Sequence, residues 1–106
     1  MADISVQELN ERRQNGEEIF VLDVREFFEY DLINLEGELI PLGELQNRLD
    51  EIEQYKDKEV VVYCRTGSRS ADAVRLLKEH GFQNARNLIG GIHEWARKID
   101  PSFPLY

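Results

Sequence analysis

Residues 60–70 read Val60-Val61-Val62-Tyr63-Cys64-Arg65-Thr66-Gly67-Ser68-Arg69-Ser70, and their order decides the fold. The unbroken β-branched and aromatic run Val60–Tyr63 suits a strand buried on both faces, as in a parallel sheet. The polar, Gly-containing stretch Arg65-Thr66-Gly67-Ser68 then turns the chain. A helix is expected from about Ser68 to His80, with Ala71, Ala73, Val74, Leu76 and Leu77 as its apolar positions. Gly81 is its stop.

The same alternation extends in both directions. Ile19-Phe20-Val21-Leu22-Asp23-Val24 is a second buried-strand run, and 85–88 a third, followed by Gly90-Gly91 and a helix ending near Lys98. Ser5-Val6-Gln7-Glu8 reads as a capping box that opens a helix stopping near Gly16. A short helix fits 26–31. After Pro41, Leu42, Leu45, Leu49 and Ile52 mark one face of a helix reaching about Tyr55. Strands alternating with helices at this spacing predict an α/β fold with a parallel sheet. Ligands of such folds bind at the carboxyl ends of the strands, where Cys64 lies.

The chain has 106 residues, without internal repeats or linker-like tracts, and is expected to form a single domain over 1–106. Thirteen basic against 21 acidic residues give a net charge of −8. With a pI near 4.7 and no basic stripe with interleaved aromatics, nucleic acid is not an expected partner. A local pocket can still be positive and take a small anion. No apolar run approaches the ~20 residues of a membrane span, and no signal peptide is read at the N-terminus. A cytoplasmic location away from membranes is the expectation.

A single cysteine excludes an intrachain disulfide and a multi-cysteine zinc site. His80 and His93 have no ligand-like spacing to each other or to Cys64, so no metal is expected. Cys64 is then either a small buried hydrophobe or a nucleophile. At the junction of a strand and a helix N-terminus, free backbone N–H groups and the helix dipole favour an anion. Gly67 lets the backbone curl into a nest of N–H groups. Arg65 and Arg69 add positive charge, while Thr66, Ser68 and Ser70 supply hydroxyls. These polar neighbours place the sulfur at a solvated rim, which favours the nucleophile.

Cys64-Arg65-Thr66-Gly67-Ser68-Arg69-Ser70 resembles the active-site loop of the rhodanese family. Val21-Leu22-Asp23-Val24-Arg25-Glu26 with Glu29-Tyr30 is similar to that family's first strand motif. Gly90-Gly91-Ile92 followed by Trp95 resembles its closing motif. The tail Asp100-Pro101-Ser102-Phe103-Pro104-Leu105-Tyr106 resembles the ending of rhodanese domains fused to adenylating enzymes of molybdopterin and thiamin sulfur pathways. The resemblance implies a three-layer α/β/α fold with a central parallel five-stranded sheet. It implies transfer of sulfane sulfur from a donor such as thiosulfate through a persulfide on Cys64, without a cofactor. The acceptor would be a small thiol, cyanide or a sulfur-carrier protein. The segment Ile33–Leu42 departs from the family pattern: His and the first Pro are absent and the connection is one residue shorter, which bears on how substrate reaches the site.

Two other functions compete. A phosphatase or arsenate reductase needs Cys-x5-Arg to enclose a tetrahedral oxyanion, whereas only four residues separate Cys64 from Arg69. A non-catalytic interaction module of the same fold commonly loses the nucleophile, which is present here. Asp23 and Arg25, at the end of a buried strand, are expected either to brace the loop or to form a purely structural pair. Trp95 reads as core, His80 as a residue complementing a helix C-terminus, and His93 as surface or helix-terminal.

Overall fold

The computed structural model describes residues 3–106. Its parallel strands are β1 (Asp3–Ile4), β2 (Phe20–Asp23), β3 (Glu38–Leu39), β4 (Val60–Tyr63) and β5 (Ala85–Leu88), in the spatial order β1-β5-β4-β2-β3. The helices are α1 (Val6–Gln14), α2 (Phe27–Leu32), α3 (Leu42–Leu45), α4 (Ser68–Glu79) and α5 (Gly91–Lys98). The expected α/β fold with a five-stranded parallel sheet is what the chain forms. None of the described helices is long and apolar enough to cross a membrane.

Because side chains alternate along a strand, each apolar run feeds two cores. Leu22, Val60 and Val62 pack with Leu45, Ile52, Ala73, Val74 and Leu77 on the face covered by α3 and α4. Val21, Val61 and Tyr63 pack with Val6, Leu9, Ile92 and Trp95 on the face covered by α1 and α5. Every residue of β4 is fully buried, which explains why its sequence shows no polar alternation. Trp95 is core, as expected.

Local differences from the expected elements have physical causes. The helix expected from Pro41 to Tyr55 breaks after α3 into 3₁₀ turns over Gln46–Tyr55, with non-helical backbone at Arg48 and Ile52. Leu49, Ile52 and Tyr55 are spaced by three, and residues at i and i+3 eclipse on a 3₁₀ helix. The tighter winding therefore keeps all of them on the sheet side. At α1, Ser5 Oγ accepts from Glu8 N at 3.0 Å, but the Glu8 carboxylate turns to Arg12 and Arg86, so only half of the capping box forms.

The sheet order places β4 at its centre, between β2 and β5. The segments leaving the carboxyl ends of these strands, 24–26, 64–67 and 89–90, therefore converge on one rim.

Candidate active site

Cys64 follows the last residue of β4, and Gly67 is the N-cap of α4. Gly67 adopts φ 116°, a conformation that side-chain-bearing residues disfavour. The curl turns its N–H onto Cys64 Sγ at 3.1 Å, and the Ser70 N–H in the first turn of α4 reaches the same sulfur at 3.3 Å. The Ser70 hydroxyl lies 3.3 Å from Sγ. The nest expected from the sequence is thus built from the cap and first turn of α4, where backbone donors have no intrahelical partner.

A second helix holds the same loop from its carbonyls. Ile92 N donates to Cys64 O at 3.0 Å and His93 N to Arg65 O at 2.9 Å, both from the first turn of α5. The close approach requires Gly91, at φ 62°, because a Cβ there would lie 2.5 Å from the carbonyl oxygens of Cys64 and Arg65. His93 therefore contributes through its main chain. His80, at the C-cap of α4, places Nδ1 3.0 Å from Leu76 O, a helix-terminal role as read.

Asn87, on β5, closes the nest from beneath. Its Nδ2 donates to Gly67 O at 3.3 Å while its Oδ1 accepts from the Ser70 hydroxyl at 2.5 Å. Sequence reading missed this residue, since an Asn in a short strand carries no signal of its tertiary partner.

The two loop arginines have different fates. Arg69 forms a bidentate pair with Glu29 of α2, Nη1 to Oε1 at 2.7 Å and Nη2 to Oε2 at 2.9 Å. These hydrogen bonds hold the buried Glu29 carboxyl down at about 2, against burial, which pushes it up. The charge expected beside the sulfur is therefore largely matched by Glu29. Arg65 is exposed, with its guanidinium 5.1 Å from the Tyr106 ring centroid. Thr66 and Ser68 are exposed as well.

Asp23 and Arg25 form a fully buried ion pair, 2.8 Å between Nη2 and Oδ2. Their bonds reach the loop only through intermediaries. Arg25 Nη1 donates to Tyr106 Oη at 2.6 Å, and Tyr106 Oη donates to Glu29 Oε2 at 3.0 Å. The chain of contacts Asp23–Arg25–Tyr106–Glu29–Arg69 replaces direct bracing. Glu29 and Tyr106 were quoted within motifs, but neither had a role legible from the sequence.

One further expectation is corrected. The sulfur does not sit at a solvated rim: Cys64 is 1% exposed, beneath a loop whose Arg65 and Thr66 face solvent. The N–H groups of Gly67 and Ser70 give the buried sulfur hydrogen-bond donors.

The Rhodanese-like domain model matches residues 5–98. The chain is 36% identical to the adenylyltransferase and sulfurtransferase MOCS3 of Arabidopsis thaliana over 97% of its own length and 25% of that protein. The chain thus spans about a quarter of the length of this relative. A rhodanese-related protein from Thermoplasma volcanium superposes with a TM-score of 0.79 at 33% identity, covering 100% of both chains. The human single-domain sulfurtransferase TSTD1 superposes with a TM-score of 0.80 at 26% identity, over 92% of this chain and 97% of that one.

Proposed function

The chain belongs to the rhodanese-like domain family, and on that premise we propose that it moves sulfane sulfur through a persulfide on Cys64. The single observation that carries the reading is the pair of N–H donors, Gly67 and Ser70, at 3.1 and 3.3 Å from Sγ. A thiolate is the nucleophile that sulfur chemistry requires, and donors aimed at the sulfur stabilise it before any substrate arrives.

In the loading step the Cys64 thiolate attacks the outer sulfur of an anionic donor of the thiosulfate type. The new sulfur–sulfur bond forms on Sγ, the donor's own sulfur–sulfur bond breaks, and its electron pair leaves with sulfite. In the unloading step a thiophilic acceptor attacks the outer sulfur of the persulfide, and Sγ leaves as the thiolate. Each step moves one electron pair, so no outside oxidant or reductant is consumed. The exposed Arg65, whose side chain lies on the solvent side of the buried thiol, attracts the anionic donor to the loop. Gly67, Ser70 and Asn87 keep the cradle closed on the sulfur.

The acceptor is a small thiol or a sulfur-carrier protein. The second is favoured by likeness to a relative named as both adenylyltransferase and sulfurtransferase.

Intact-mass measurement after incubation with thiosulfate tests the reading. The expected result is a gain of one sulfur atom on Cys64, reversed by dithiothreitol, together with thiocyanate formation when cyanide is added. Cys64→Ser, which leaves the chain without a thiol, should lose both while keeping the fold. A wild type that gains no sulfur would sink the assignment.

A further inference from the structure

Tyr106 touches both halves of the arginine arrangement around Cys64. Its ring centroid is 5.1 Å from the Arg65 guanidinium carbon and 5.9 Å from that of Arg25, both within the range of a cation–π contact. Its hydroxyl lies 2.6 Å from Arg25 Nη1 and 3.0 Å from Glu29 Oε2. Arginine has donors only, so the bond from Arg25 must use a lone pair of the phenol oxygen. The phenol proton is then free for Glu29. That carboxylate in turn grips Arg69 with both oxygens.

We propose that Tyr106 is a positioning residue that sets the two arginines of the Cys64 loop independently, Arg65 through its ring and Arg69 through its hydroxyl and Glu29. The ring contact holds the loop's outward guanidinium over a neutral surface, so its charge stays available to an incoming anion. The hydroxyl contact fixes the carboxylate that immobilises the inward one. Burial pushes the Tyr106 phenol upward from its ordinary value, so the proton needed by Glu29 is retained at neutral pH. Phe103 and Ile99 pack on the core, so the tail remains anchored when Tyr106 is changed.

The kinetic part of this inference rests on the sulfurtransferase reading; the spectroscopic part does not. The test compares wild type, Tyr106→Phe, which keeps the ring, and Tyr106→Leu, which keeps neither ring nor hydroxyl. By NMR, the Arg65 Nε–H signal should carry a ring-current shift in wild type and Y106F and lose it in Y106L. The Glu29 carboxyl titration should move upward in both variants, because both lack the phenol donor. With thiosulfate, KM should rise about two- to fivefold from Y106F to Y106L, the change that a partly exposed cation–π contact converts to. A purely structural role predicts lower melting temperatures with these signals and KM unmoved.

An Arg65 signal in Y106L like that of wild type overturns the ring's role, and an unmoved Glu29 titration in Y106F overturns the hydroxyl's. Equal KM in Y106F and Y106L also counts against the ring's role. If wild type transfers no sulfur, the functional reading falls while the NMR signals still decide the role of Tyr106. If neither variant folds, the wild-type Arg65 signal decides: a ring-current shift supports the positioning, and its absence overturns it.

Discussion

Both terminal nitrogens of Arg69 are committed to Glu29, at 2.7 and 2.9 Å, across 40 residues of sequence. A planar guanidinium bound on its terminal edge has that fork filled and cannot use it for a second bidentate anion. The arginine of the Cys-x4-Arg loop is thus part of the frame around the sulfur.

This pairing bears directly on phosphatase chemistry. A tetrahedral phosphoryl group needs donors around three oxygens, and the shortened loop has its Arg69 engaged elsewhere. Wild type is expected to show no Cys64-dependent hydrolysis of an aryl phosphate under conditions that support sulfur transfer. Phosphate release lost on Cys64→Ser, without sulfur transfer, would reverse the ranking of the two chemistries.

The same pair makes stability depend on acid pH. The Glu29 carboxyl lies at about 2 in the fold, below its ordinary 4.5, chiefly through the Arg69 hydrogen bonds. Its value is depressed by folding, so its stabilisation is complete above about 4.5 and disappears as pH falls toward 2. The contribution is on the order of 2–3 kcal/mol after allowing for the partly solvated Arg69. Glu29→Gln should therefore lower the melting temperature at pH 7 and flatten its fall below pH 4.5. Parallel curves for the two proteins would show that the pair contributes nothing.

Gly91 can be tested by adding one methyl group. In Gly91→Ala the new Cβ would meet the Cys64 and Arg65 carbonyl oxygens at 2.5 Å, and these are main-chain atoms. The loop must shift, at a cost of about 1–3 kcal/mol including the strained φ. Sulfur transfer should fall more than stability does, because the displaced atoms include the Cys64 main chain. A variant with full turnover would show that the α5 contact does not set the loop.

Removing the carboxylate of Asp23 leaves the buried Arg25 charge uncompensated. Asp23→Ala should destabilise the fold by about 3–5 kcal/mol, read as a drop in the denaturant midpoint. Replacing both residues by apolar ones of similar volume should cost less than Asp23→Ala alone. A single variant as stable as wild type would mean that the pair is not buried as described.

The stretch from β4 into α4 was legible in the sequence because three strong signals coincide there. An apolar run, a glycine and an amphipathic helix follow each other within 20 residues, 60–79. The strands Asp3–Ile4 and Glu38–Leu39 had no such signal, since two residues establish no period. They form because the edges of the central strands offer unpaired backbone groups. Among site residues, Cys64, Gly67 and Ser70 were legible as neighbours on one turn. Glu29, Asn87 and Tyr106 were not, because their importance lies in contacts made by the tertiary fold. Glu29 in particular belongs to a short helix whose Phe27, Phe28 and Leu32 are exposed, so its burial runs against the local pattern.

The loop is held by main-chain bonds, with donors at the start of α4 on the sulfur and donors at the start of α5 on the carbonyls of Cys64 and Arg65. Arg65, Thr66 and Ser68 face outward from that suspension. Under the proposed sulfur transfer, reactivity and recognition would be written on different atoms, the first on peptide groups and the second on a fringe of replaceable side chains. A library randomised at these positions should keep the thiol's surroundings while changing which reagents reach it. Such a division would let one scaffold drift among donors and acceptors without rebuilding the proposed nucleophile.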